Sequence, residues 1–190
     1  MKEERYQGGE FQIIPSVREL KNLDTALNNH SGYVLLSECH IGNLRQLVHT
    51  CHSRGQKVVV NHELVGGLGN DKAAFQMLKN LYHVDMVIAS SVSKLHILQK
   101  MNMKTIFRIS LIDSISVDNA LRMMKEVNCS AVELRPYYHA MEFLPKFQDL
   151  FDGEFFVAGF VNSKEKLMNC KEAGFQGTMT STKELWELKI

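Results

Sequence analysis

Residues 105–136 read TIFRISLIDSISVDNALRMMKEVNCSAVELRP, and the succession of patterns in that stretch decides the fold. Thr105–Ile109 is short and apolar at successive positions apart from Arg108. A strand of that kind is buried on both faces, as in a parallel sheet covered by helices. Val117–Val127 then places Ala120, Leu121, Met124 and Val127 at helical spacing, with Ser116 or Asp118 positioned to cap the start. Ala131–Leu134 returns to the strand pattern, and Pro136 follows where the chain leaves the sheet. Strand, helix and strand within about 30 residues make one βαβ unit.

Outward from this unit the same alternation runs to both ends. Further strands are expected at Phe11–Ile14, Tyr33–Leu36, Lys57–Val60, Asp85–Ala89, Glu154–Ala158 and Gly177–Thr180. Between them lie amphipathic stretches such as Arg18–Asn28, with Leu20, Leu23 and Leu27, and Asn43–His52, with Leu44, Leu47, Val48 and Cys51. The second and seventh helices are expected to stop at Gly55 and Gly174. Pro15, like Pro136, is read as following a strand. Eight strand–helix units suit either a closed barrel or an open doubly wound sheet. An open sheet tends to carry longer loops at its switch point, so the even spacing favours an α/β fold of the compact (β/α)8 TIM-type barrel class. Barrels typically need ~200–250 residues, so short helices and loops are expected in this 190-residue chain. Residues 1–190 are read as one domain, with 1–10 a loosely ordered segment.

Lys and Arg number 22 against 21 Asp and Glu, a formal net charge of +1. That balance neither announces nor excludes nucleic acid, because a local basic patch is hidden in a sum. No run approaches the ~20 apolar residues of a membrane span, and MKEERYQGGEF at the N-terminus is not a signal peptide. A cytoplasmic protein is the expectation. Cys39, Cys51, Cys129 and Cys170 occur singly, as reduced thiols of such a protein would. The Cys39-His40 and Cys51-His52 couples lack further ligands at finger-like spacing, so no metal site is expected.

Polar residues cluster just after the expected strands, where either fold builds its site. Gly159 ends the seventh strand, Asn162-Ser163 can open the next helix, and Thr180-Ser181 follow the eighth strand. Together they suggest an anion cup of backbone amides, hydroxyls and helix dipoles. The competing account is that Ser163 and Ser181 simply cap helices. Arg108 and Arg135, inside or directly after apolar strands, need neutralisation, because an unpaired buried charge is expensive. Glu133 or Glu63 could supply it internally; a bound phosphate would do so from outside. His62-Glu63 is a candidate acid–base pair. The glycines of Gly66-Gly67-Leu68-Gly69 match neither a P-loop nor a dinucleotide fingerprint and are read as a mobile loop over the barrel mouth. Lys94, Lys100 and Lys104 are read as a solvated helix. Trp186 is expected against the barrel wall or in the interface of a homo-oligomer.

In ordered combination these segments resemble the glycerol-3-phosphate-responsive antiterminator family, the regulators of glycerol-uptake operons. The resemblance rests on Ile13-Ile14-Pro15-Ser16-Val17-Arg18, His40-Ile41-Gly42-Asn43-Leu44 and His62-Glu63-Leu64-Val65-Gly66-Gly67-Leu68. Later pieces are Arg108 with Leu111-Ile112-Asp113-Ser114, Glu133-Leu134-Arg135-Pro136, Ala158-Gly159 and Thr180-Ser181-Thr182-Lys183-Glu184-Leu185-Trp186. It implies a barrel of about eight βα units. Glycerol 3-phosphate is implied as effector ligand, with no cofactor, no catalysis and, in the liganded state, contact with leader mRNA that prevents transcription termination. The implied shell is Arg18, Glu63, Arg108, Glu133, Gly159, Thr180 and Ser181, with Arg108, Gly159, Thr180 and Ser181 on the phosphate and the carboxylates on the glycerol hydroxyls. The chain departs from the family pattern at Glu63, where aspartate is usual, and at Phe160, where a second glycine follows Gly159; a glycine is also usual near Tyr137. From the strand ends alone, the alternative is a small phosphometabolite-processing barrel enzyme using Glu63, His62 or Glu133. A third is a degenerate, non-catalytic member.

Overall fold

The computed structural model describes residues 10–190. Eight strands close into one parallel barrel in chain order. They are β1 (Gln12–Val17), β2 (Tyr33–Leu36), β3 (Lys57–Asn61), β4 (Met86–Ala89), β5 (Lys104–Ser110), β6 (Ala131–Arg135), β7 (Glu154–Ala158) and β8 (Gly177–Thr180). The helices outside are α1 (Leu23–Ala26), α2 (Leu44–Ser53), α3 (Lys72–Gln76), α4 (Val92–Lys100), α5 (Ser114–Met124), α6 (Tyr137–Gln148) and α7 (Lys164–Ala173). The α/β barrel reading therefore holds. The expected order of residues 1–10 falls, except for its last residue, outside the described part.

Four local readings need correction. Pro15 lies within β1, paired with Thr180, because β1 runs on to Val17. Arg18–Asn28 holds only a 3₁₀ turn (Leu20–Asn22) and the four-residue α1. The buried Asn29 side chain terminates that segment by donating to the carbonyl of Ala26 at 2.7 Å and to Gln56 at 3.1 Å. Helix α5 starts three residues early, capped by Asp113, whose carboxylate accepts from Ser116 N while Ser116 Oγ accepts from Asp113 N. The eighth unit carries no α-helix, only a 3₁₀ turn at Lys183–Leu185. The glycine stops stand, with Gly55 and Gly174 both at positive φ.

Side chains of a strand alternate between faces, so every second residue points into the barrel. Its lower interior is a plug of Ile14, Leu35, Val59, Ile88, Ile106, Ala131, Phe156, Ala158 and Met179. Closing so small a barrel brings Gly177 against its neighbours: a Cβ there would lie 2.4 Å from the Gln12 carbonyl oxygen and 2.9 Å from the Phe156 ring. Outward-facing residues pack with the helices in a second, larger core that includes Phe75, Phe107, Phe147 and Phe155. Trp186 is buried in that core and its Nε1 donates to the Thr180 carbonyl at 2.9 Å. Its packing is thus against the barrel wall.

Candidate ligand-binding site

One step along the strands from the apolar plug, the inward positions turn polar. Ser16, Ser37, Asn61, Arg108, Glu133 and Ser181 line a cavity of about 710 Å³ at the carboxyl ends of the strands. That volume falls inside the ~300–1,000 Å³ usual for small-molecule sites. Arg135 is the last residue of β6, while Arg18, Glu38, Phe160, Asn162 and Thr182 come from the loops that follow the strands. Their signal was the period of two: Ser16, Ser37 and Asn61 share parity with Ile14, Leu35 and Val59. Strand-end polarity alone did not single them out.

Arg108 and Glu133 are neighbours in register on β5 and β6 and are 8% and 0% exposed. Arg108 Nε donates to both carboxylate oxygens at 3.1 and 3.0 Å, and an Nη nitrogen donates to Oε2 at 2.9 Å. The charge of Arg108 is therefore balanced within the protein, and burial is tolerated because the pair is matched and hydrogen-bonded. Arg135 is different. It is exposed, its Nε donates to Ser110 Oγ at 3.0 Å, and no carboxylate among the described residues lies within ion-pair distance of it. The same holds for the exposed Arg18, so two guanidinium groups without a carboxylate partner face one cavity.

The residues read as an anion cup are arranged differently from that reading. Ser163 caps α7, accepting from Lys166 N at 3.3 Å, and does not line the cavity. Thr180 Oγ1 donates to the Val161 carbonyl at 2.7 Å and accepts from Thr182 N at 3.1 Å, so its hydroxyl is already committed. Ser181 is exposed on the cavity wall. Gly159 and Phe160 both lie at positive φ, 76° and 65°. For Phe160 that left-handed conformation costs roughly 1–2 kcal/mol, and the backbone keeps the path that a second glycine would take without strain. The Phe160 side chain is largely exposed at the rim. Lys166 Nζ donates to its carbonyl at 2.8 Å and to Asn162 Oδ1 at 2.9 Å.

Glu63 does not line the cavity. Strand β3 ends at Asn61, whose side chain accepts from Glu63 N at 3.0 Å, and the 3₁₀ turn His62–Leu64 carries the carboxylate aside to Ser90 Oγ at 3.2 Å. His62 is 2% exposed and packed edge-on against Phe75 at 5.1 Å, and neither ring nitrogen has a hydrogen-bond partner within bonding geometry among the described residues. Burial pushes its imidazole below the usual value and Lys94 adds to this; the Glu63 carboxylate, 3.9 Å away, and the Asn70 side chain oppose it. The pair is thus set apart from the cavity. The glycine stretch is stitched to the β2–α2 loop, with Gly66 N donating to the Cys39 carbonyl and Ile41 N to the Gly66 carbonyl, both at 2.9 Å. Only Leu64 of that region reaches the cavity.

The lysines near residue 100 do not form one patch. Lys94 donates to the Asn70 carbonyl, while Lys100 ends α4 and Lys104 starts β5 at the opposite end of the barrel. All four cysteines are free, and burial raises Cys39, Cys51 and Cys129 to about 11 and Cys170 to about 12. Among the described residues no three His, Cys, Asp or Glu side chains gather as a metal-binding group, and no helix is long and apolar enough to cross a membrane.

A family model described as "Glycerol-3-phosphate responsive antiterminator" matches residues 13–186. Among curated proteins the chain is similar to the uncharacterized protein YgcP of Escherichia coli strain K12, 21% identical over 180 residues covering 93% of this chain and 92% of that protein. Among solved structures it is similar to the glycerol uptake operon antiterminator regulatory protein from Listeria monocytogenes. That superposition has a TM-score of 0.86 at 23% identity and covers 96% of this chain and 98% of the other. A glycerol uptake operon antiterminator-related protein from Thermotoga maritima gives a TM-score of 0.81 at 21% identity, covering 95% and 100%. At these identities the two structures speak for the fold.

Proposed function

This chain belongs to the glycerol-3-phosphate responsive antiterminator family, and on that premise we propose that it is a cytoplasmic sensor whose barrel cavity takes glycerol 3-phosphate and whose liganded form binds operon leader mRNA. The observation that carries the ligand half is the pair of guanidinium groups, Arg18 and Arg135, facing one cavity without a carboxylate partner among the described residues. Their two positive charges suit a phosphate dianion, which guanidinium groups grip through paired hydrogen bonds. Gly159 and Ser181 complete the phosphate end. Arg108 and Glu133 keep their mutual bonds and offer their remaining donor and acceptor positions to the glycerol hydroxyls. Glu63 and the Thr180 hydroxyl are supporting groups in this reading, one outside the cavity and one already spent on Val161.

A thermal-shift titration tests the ligand half. At a hundredfold excess over Kd, glycerol 3-phosphate stabilises the chain by about 2.7 kcal/mol. For a domain of this size that is a rise of roughly 5–10 °C in Tm. Arg135→Ala removes most of the rise and leaves the ligand-free Tm within about 2 °C, as expected of an exposed substitution. No saturable shift in the parent protein sinks the reading. For the RNA half, the leader transcript of a glycerol-uptake operon from the same genome is titrated across a salt series with and without the ligand. Ligand-dependent affinity supports the sensor, and weak ligand-independent binding that vanishes with salt reduces it to charge alone.

A further inference from the structure

Exposed large side chains gather on the face that carries the cavity. Ile41, Leu64, Ile112, Ile115, Tyr138 and Phe160 all sit in segments just after strands or in the first turns of the helices that follow. Two of them are aromatic and share one partner. Lys166 Nζ lies 5.1 Å from the Tyr138 ring centroid and is bonded to the Phe160 carbonyl, and Tyr138 and Phe160 are 61% and 67% exposed. Lys166 is held by carbonyl and amide oxygens and by the Tyr137 and Tyr138 rings, and it forms no ion pair among the described residues, so its charge is fixed in place. Arg18 and Arg135, which form no ion pair among the described residues, add two more cations at the adjoining cavity.

Open rings beside fixed cations suit a chain of π faces joined by phosphates, which is single-stranded nucleic acid. An apolar protein surface docking there would have to desolvate the same charges without a counter-ion to offset the cost. We propose that Tyr138, Phe160 and Lys166 form a stacking platform for unpaired bases of single-stranded RNA, contiguous with the ligand cavity. This rests on the regulator reading above and gives its RNA half a location. It also joins the two halves. Phe160 both lines the cavity and offers its ring at the rim, and the Gly159 carbonyl accepts from Tyr137 N at 3.1 Å, at the start of the helix that carries Tyr138. An anion seated against Gly159 therefore bears on the segment that sets both rings, which is the differential contact a ligand needs to shift a population.

The test uses the full chain and a fluorescein-labelled, non-self-complementary 12-nucleotide RNA, alone and annealed to its complement, with glycerol 3-phosphate present. Stacking tolerates any base, so the single strand binds and the duplex binds at least tenfold more weakly. Tyr138→Ala weakens single-strand binding about tenfold while the ligand-induced thermal shift is retained, since Tyr138 does not line the cavity. Phe160→Gly weakens it as well, and Lys166→Met lowers the salt slope by about one. Single-strand binding untouched by Tyr138→Ala overturns the platform, and if the leader transcript still binds with ligand, the regulator reading stands without it. An oligonucleotide that does not bind at all overturns the platform, and the leader transcript then decides whether the RNA role falls too. Concentration-dependent self-association abolished by Tyr138→Ala assigns the face to a second copy of the chain and overturns the proposal.

Discussion

The β5–β6 wall and the corner after β3 bury polar groups in opposite ways. On the wall, Arg108 and Glu133 are sealed from water and tied to each other by three N–H···O contacts. At the corner, His62 is sealed as deeply, with neither nitrogen bonded among the described residues. The first solution keeps two charges and matches them; the second keeps no charge. A matched pair depends on its partner remaining, and a neutral imidazole depends on the pH remaining high enough. One cavity wall is thereby set by geometry, while the loop corner answers to the proton concentration.

The largest expected effect breaks the wall. Glu133→Ala leaves Arg108 buried and unpaired and costs about 3–5 kcal/mol of unfolding free energy in urea denaturation. A loss below about 1 kcal/mol would mean that water or backbone oxygens satisfy the guanidinium, and the contrast with His62 would dissolve. Next comes the double change Arg108→Met with Glu133→Leu, which removes both charges at once. It is expected to lie within about 1–2 kcal/mol of the parent, on either side, while abolishing the thermal shift with glycerol 3-phosphate. Smallest is the effect at the corner, read as pH dependence. The folded pKa of His62 is depressed below the ~6.5 of an unfolded chain, so the unfolded state takes up the proton first. The contribution of the neutral ring is fully present above about pH 6.5 and is lost as the pH falls toward the folded value. Glu63 and Lys94 face the ring with opposite pulls, and Asn70 sides with Glu63. His62→Leu should flatten the fall in stability below about pH 6.5 relative to the parent, and an unchanged slope would place the acid sensitivity elsewhere.

All eight strands were legible because burial on two faces leaves an apolar run that needs no knowledge of neighbours. Helices of the first and last units were not. Leu20, Leu23 and Leu27 have helical spacing, but the Asn29 side chain takes the Ala26 carbonyl and stops the turn, a contact that local periodicity does not contain. The last unit runs from Thr180 to the buried Trp186 with room for a single 3₁₀ turn. At the site, the strand-borne pair Arg108 and Glu133 was legible, including the internal neutralisation that the structure realises. Glu63 was harder. It lies two residues beyond the end of β3, and once a strand gives way to a 3₁₀ turn, parity no longer says where a side chain points. Arg18 and Arg135 gained importance only when Arg108 proved to be matched already.

Trp186 is the sole tryptophan of the chain, sealed from solvent with its indole nitrogen on the carbonyl that ends β8. The next residue, Ser181, lines the cavity. The protein therefore carries its own optical probe one residue from the site. Emission excited at the indole band comes from this one position, with no second indole to dilute it. A shift in emission maximum or lifetime on adding an anion reports movement at the seam where the last strand meets the first.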